Sequence, residues 1–518
     1  MVTDLMHKHL FMEDFDCMKK RILLGIKCIL FVTLALFCVL VVNRWLMPKY
    51  YYNESWPTTN TYQDFYKLDK NTVEVLFFGS SHAVSSFNPQ VIYDNYGIRS
   101  YNLGCEQQSL VITYYWLKEA LKYQSPEAVV IDTYMFHKYT DAYVYNDMNC
   151  SEGAVRKPMD SMKLSPLKFE AGMAIEKVDP TQSGLSFPFT NIRYHTRWTS
   201  LGENDYTEAE MVDHGGIKGF SALGGTSPGA ADATFSEGDV DSVEAEPMVV
   251  IADEYLGKIV NLCEEEGIKL IFVNIPYGES IARYKSTKEY ADAHNIPFYD
   301  FNEENLYHEI GYSAEADRYA HPNYIGAEKI SNYLGELLLN EYGISTKSDS
   351  SFDKSREIYI HKVNNIKLSE TTNIYEYLER LNDSDYDIFV FSGRNTGSFV
   401  DEDMANRWFA LGFATDLRSI PEGNHYCAVK SDSIIEKMTS EDIAFSGTIR
   451  NGKMIYNFLI DTTNMLPNYQ KFSMVINGTE CGNQNTGIDI VVYDSDFKQI
   501  IDKVNINTTV EEKTMTRY

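Results

Sequence analysis

The stretch "LFFGSSHAVSSFNP", residues 76–89, decides how the chain is read. An apolar run, "VEVLFFG" at 73–79, stops at two serines and a histidine, as a buried strand does when it delivers a hydroxyl to the edge of a sheet. Strands also end in Gly-Ser where only a tight turn is needed, so these positions alone leave Ser81 open between nucleophile and turn residue. The same pattern recurs downstream. "SYNLG" (100–104) and "EAVVIDTYMF" (127–136) read as strands. A short helix near "NPQVIYDNYG" precedes the first of them, and a longer one, in which Leu110, Tyr114, Leu117 and Leu121 repeat at helical spacing, lies between the two. Later, "MVVIADEYLGKIVNLCEEEG" reads as a helix, "KLIFVNIPYG" as a strand, "TKEYADAHN" as a polar helix, "IPFYDF" as a strand and 323–341 as a last helix. This alternation predicts an α/β fold, a parallel sheet covered on both faces as three layers. Sites in such sheets lie beyond the carboxyl ends of the strands, where Ser81, Gly104 and Asp132 fall.

The chain has 518 residues, 44% of them apolar and 13% aromatic, enough for two or three cores. A formal charge of −28 without a long basic block argues against a nucleic-acid partner, which needs clustered Lys and Arg. Residues 22–42, "ILLGIKCILFVTLALFCVLVV", are apolar except for Lys27, with Lys19, Lys20 and Arg21 in front and Trp45 and Tyr50 behind. They read as an uncleaved membrane anchor whose basic flank stays cytoplasmic, with a secretory signal peptide as the alternative. The cysteines show no CxxC spacing, so no metal or cofactor is expected; Cys427 and Cys481 could pair or remain buried thiols. The expected divisions are a tail (1–21), an anchor (22–43), a stalk (44–70), an α/β domain (71–345) with an insertion (137–248), a linker (346–375) and a small, mainly β domain (376–518).

Within the insertion, residues 221–247 lack Lys and Arg and are rich in Gly, Ala, Ser and acids, which predicts a mobile loop. "NIRYHTRWTSL" (191–201) sets His195, Arg197 and Trp198 together, which suits a sugar or acyl pocket or, equally, packing of the insertion onto the core. In "ADRYAHPNYIGAEKI" (316–330), Pro322 is placed for the first turn of the last helix, so His321 sits on a rigid element aimed at the sheet edge, with an acid, Asp317, four residues earlier.

Gly79-Ser80-Ser81-His82, "NLG" at 102–104 and "HPNYIGAEKI" at 321–330 resemble the blocks of the SGNH/GDSL hydrolases, over about half the chain. The resemblance is nearest to membrane-anchored members that act on cell-envelope polymers. It implies a flavodoxin-like fold with Ser81 as nucleophile, His321 as base and Asp317 as the orienting acid, with Glu315 as a rival. It also implies an oxyanion site from the N–H groups of Ser81 and Gly104, with Asn102 as a third donor. The family's acid usually stands three residues before the His, where this chain has Arg318, and its third-block Asn is replaced by Thr133 after Asp132. In such a site the imidazole takes the serine proton during attack and an acyl-serine forms, released to water or a sugar hydroxyl.

In the last domain, "INGTECGNQNTGIDIVVYD" (476–494) and "WFALGFATDL" (408–417) resemble the interleukin-like EMT inducer (ILEI/PANDER) domain. That implies a carbohydrate-directed accessory domain, with Asn477, Asn483 and Asn485 as candidate glycan contacts. Together these readings predict a single-pass, extracytoplasmic serine esterase or O-acyltransferase acting on acyl groups of a surface glycan or envelope polymer. A membrane acyl-donor protein is a candidate partner. The alternative is a non-catalytic glycan-binding protein on the same fold.

Overall fold

Val75 and Phe77 alternate with Leu76 and Phe78, and all four are fully buried, so the first strand must be covered on both sides. A computed structural model of the chain describes residues 2–47, 59–138, 151–206, 217–393, 399–440, 443–450, 454–461, 471–483 and 486–518. The strands β1 (Val75–Phe78), β2 (Ser100–Asn102), β3 (Ala128–Asp132), β4 (Lys269–Asn274) and β5 (Phe298–Asp300) form a parallel sheet in the order β2-β1-β3-β4-β5. Leu76, Phe78, Val129, Ile131, Leu270 and Phe272 pack on one face. Val75, Phe77, Ala128, Val130, Ile271 and Val273 pack on the other. Truncating one such side chain, as in Phe77→Ala, should cost about 3–5 kcal/mol. The order reverses between β1 and β3, and there the carboxyl ends of the strands open a crevice.

The chain begins with one continuous helix, α1 (Val2–Leu46), so the expected tail and anchor are not separate elements. Its stretch Met18–Leu46 is long and apolar enough to cross a membrane, with mean hydropathy 2.7 over its best window, which is unburied. Residues 44–70 read as a stalk or as a segment lying on the next domain, and the described part does the second: α2 (Thr59–Phe65) buries Tyr62 and Phe65 completely, with Tyr62 ring to ring against Trp116 at 4.5 Å. The expected linker is a 20-residue helix, Ser351–Glu370, because Phe352, Tyr359 and Val363 bury one of its faces. The short helices α3 (Ser81–Ser86) and α4 (Pro89–Tyr96) follow β1, and α5 (Leu110–Ala120) precedes β3.

The C-terminal part holds two antiparallel sheets, one of six strands and one of four. The helices Ile374–Arg380 and Glu402–Ala410 pack on one face of the larger sheet, and Phe389, Phe391 and Val491 on its other face meet Tyr456, Met474 and Ile476. Cys427 and Cys481 share this second core as buried, free thiols.

The segment expected to be a mobile loop is tied down. Ser221, Ala222 and Phe235 are buried, Ser221 donates its N–H to Val84 O at 2.9 Å, and Phe235 donates its own to Asn302 O at 3.1 Å. The chain enters this segment through a close approach to β2: Asn102 donates its N–H to Lys218 O at 2.9 Å, Gly219 has φ +84°, and a Cβ there would stand 1.9 Å from Asn102 O. Gly219→Ala should therefore destabilise the α/β domain by roughly 1–3 kcal/mol, read by urea unfolding. An unchanged midpoint would mean that this segment is loosely attached.

Candidate active site

Every strand of the parallel sheet hands a polar residue to the same edge. Beyond β1, Gly79 (φ +150°) passes where a Cβ would meet Asp132 Cβ at 2.5 Å, so only glycine allows the chain to turn here. Ser80 is fixed by Asp132, which accepts its N–H at 3.1 Å and its hydroxyl at 2.7 Å. Ser80 in turn caps α3 by accepting the His82 N–H. Burial pushes the Asp132 carboxyl up to about 6 against these hydrogen bonds. Ser81 thus stands at the first position of α3 on a rigid turn, where its own N–H has no intrahelical acceptor.

His321 reaches Ser81 from 240 residues away, with Nε2 2.9 Å from Oγ. The turn that carries it is strained: Arg318 has φ 71° and Ala320 φ 66°, and the His321 N–H donates back to Tyr319 O at 2.8 Å, closing a γ-turn about Ala320. The surroundings hold this turn. Tyr312 donates its hydroxyl to Arg318 O at 2.7 Å, Arg318 donates to Gly224 O, Tyr319 N–H donates to Ser227 Oγ, and Asn323 Nδ2 donates to Gly225 O. Three of these four partners come from the insertion. Asn323, rather than Pro322, begins the last helix, its Oδ1 accepting from the N–H groups of Ile325 and Gly326.

Burial, aided by the Arg318 charge, pulls the His321 imidazole down to about 4. The ring is therefore neutral at pH 7, and the tautomer protonated on Nδ1 leaves Nε2 free to accept the Ser81 proton. His82 lies edge-on to His321 at 5.0 Å and against Tyr134 at 4.0 Å and Tyr277 at 4.6 Å. It is buried, its Nδ1 has no hydrogen-bond partner among the described residues, and burial holds it well below the usual histidine range. The loop bearing Tyr277 hangs from Asn302, whose Oδ1 accepts from the N–H groups of Tyr277, Gly278 and Glu279.

Several predicted members of the site lie elsewhere. The Asp317 carboxylate accepts from Ser313 N–H at 2.8 Å and Lys329 Nζ at 2.6 Å, and His321 is not among its partners. Glu315 accepts from Gly229 N–H. Both acids therefore bind the turn and its neighbours instead of the imidazole. Asn102 is spent on structure: its Nδ2 donates to Ala83 O at 2.7 Å and Phe87 O at 3.0 Å, and its Oδ1 accepts the Gly104 N–H at 3.0 Å. A buried amide must satisfy its own groups, and doing so occupies Gly104 as well. Of the three expected oxyanion donors, the Ser81 N–H remains.

The segment 191–201, read as a sugar or acyl pocket or, equally, as packing of the insertion onto the core, packs against the end of α1. Arg197 donates to Leu46 O at 2.7 Å and pairs with Asp205 at 2.6 Å. His195 Nδ1 lies 3.0 Å from Ile192 O, and Trp198 is 65% exposed. In the C-terminal domain, Asn477 is exposed at a turn with φ 47°, and Asn483 Nδ2 is buried without a partner among the described residues. Asn485 lies outside the described residues. The sequence reading missed His82, Tyr134, Tyr277 and Asn302. The His directly after the two serines was the one signal that could have pointed to them. No family model matches the chain, and no curated protein matches it.

Two outcomes follow for the folded protein. The His321 ring should titrate near pH 4 by proton NMR, and a value near 6.5 would contradict the buried placement. Because the unfolded imidazole binds its proton near 6.5, this group makes stability fall as pH drops from about 6.5 towards 4. Asp317→Asn should lower unfolding free energy by about 1–3 kcal/mol while leaving the His321 titration in place. A large His321 shift with unchanged stability would return Asp317 to the imidazole.

Proposed function

We propose that the chain is a membrane-anchored, extracytoplasmic serine esterase or O-acyltransferase acting on O-acyl groups of a surface glycan or envelope polymer. The observation that carries this reading is the Ser81 Oγ–His321 Nε2 approach of 2.9 Å at the carboxyl edge of the sheet, with a neutral imidazole. Ser81 Oγ attacks the ester carbonyl while His321 takes its proton, and the oxyanion forms beside the Ser81 N–H. Collapse expels the alcohol, which leaves with the proton from His321, and the acyl group stays on Ser81. Water or a sugar hydroxyl then gives its proton to His321 and attacks the acyl-serine, returning Ser81. Water yields hydrolysis; a sugar hydroxyl yields transfer.

The long apolar stretch of α1 supports the membrane assignment. The resemblance of the C-terminal domain to ILEI/PANDER modules, together with the exposed Asn477 turn, supports a glycan-directed accessory role. A second reading, a glycan-binding protein without catalysis, draws on the carboxylates of Asp317 and Glu315 being engaged away from His321, and on the occupied Gly104 N–H.

Labelling by a fluorophosphonate separates the two. The esterase reading expects stoichiometric labelling of the wild type, abolished in Ser81→Ala, and a fall of at least about 10³-fold in labelling rate in His321→Ala. Equal labelling of all three proteins, or none of the wild type, would favour the binding protein.

A further inference from the structure

The outer end of α1 is not a free tether. The Asn191 N–H donates to Asn43 Oδ1 at 3.1 Å, Arg197 donates to Leu46 O at 2.7 Å, and Tyr206 meets Trp45 edge-on at 5.3 Å. Leu46 and Tyr194 form a small buried cluster with Val42, Met47 and Leu201 around them. A collar built from the insertion thus grips α1 where its apolar run ends. If α1 spans a bilayer, that point is the level of the lipid headgroups.

Large apolar side chains stand exposed immediately beside the grip. Ile192, 45% exposed, follows Asn191; Trp198, 65% exposed, follows Arg197; Leu185 and Phe189 are 48% and 41% exposed in the same collar. Adjacent residues have Cα atoms about 3.8 Å apart, so Ile192 lies one residue from a backbone N–H bonded to the helix end, and Trp198 follows the residue whose guanidinium reaches that end. Charge points the same way. In a chain of net charge −28, residues 180–202 contain no Asp or Glu and carry Arg193 and His195, while Arg197 is paired with Asp205 just beyond them. An apolar, aromatic surface poor in acids, whose neighbouring Asp205 is already neutralised by Arg197, suits the interface of a bilayer, where a Trp ring buries its body and keeps its N–H wet.

We propose that this collar docks on the outer leaflet of the membrane that α1 crosses, with Trp198, Ile192 and Phe189 entering the interfacial layer. The inference rests on the membrane-spanning reading of α1. Its consequence is that the α/β domain is held to the bilayer by two attachments, a helix and a surface, which fixes its orientation towards membrane-proximal substrate.

The test uses the full chain in nanodiscs of phosphatidylcholine and phosphatidylglycerol, with and without bromine near the top of the acyl chains. Subtracting the emission of Trp198→Phe from that of the wild type isolates Trp198, and the same subtraction with Trp45→Phe reports the helix end. Docking expects brominated lipid to reduce both difference emissions by roughly half or more, as contact depth at the interface requires. Quenching of Trp45 without Trp198 would overturn the docking while leaving the anchor. Quenching of neither would remove the anchor and the docking with it.

Discussion

The position of one imidazole governs the site. His321 must stand 2.9 Å from a hydroxyl that lies 240 residues earlier in the chain, and it does so on a turn with two non-glycine residues at positive φ. Each such residue costs of order 1–3 kcal/mol, so the turn keeps its shape only because its neighbours impose it. Tyr312 holds it from one side, and Gly224, Gly225 and Ser227 hold it from the other. The acid-rich, glycine-rich segment between β3 and β4 is therefore a brace for the candidate base. Asp317 serves the same end by tying the turn to Lys329 and Ser313.

Polar groups buried at the sheet edge have little freedom, because each needs a partner. Asp132 fixes Ser80, Asn302 suspends the loop after β4, and Asn102 ties β2 to α3. These contacts make the edge rigid and frame the Ser81–His321 pair, the candidate nucleophile and base. The same burial that requires these bonds keeps both His82 and His321 neutral. A neutral His321 is the protonation state that general-base chemistry requires.

The parallel sheet was legible because the continuous apolar runs in "VEVLFF" and "AVVID" and the helical spacing in 110–121 are local signals. Ser81 was legible for the same reason, as the residue where a strand breaks into a turn. His321 could be placed from the Pro322–Asn323 helix start nearby. The acid could not, since sequence distance from a histidine says nothing about where a carboxylate points once a γ-turn intervenes. The segments expected as linker, stalk and mobile loop looked polar by composition, yet a few side chains in each, such as Phe352, Tyr62 and Phe235, are buried by distant partners. The insertion residues 191–201 left two readings open, because aromatic and basic character fits a ligand pocket and a packing contact equally well, and the side chains pack against the end of α1.

The central claim is that Ser81 and His321 act together as nucleophile and base. Stopped-flow mixing of the protein with p-nitrophenyl acetate at neutral pH tests it most directly. The account predicts a burst of nitrophenolate approaching one equivalent per chain, followed by slower turnover as the acyl-serine is released, with no burst in Ser81→Ala. A burst that persists in Ser81→Ala, or slow release of nitrophenolate by the wild type at the buffer rate, would contradict it.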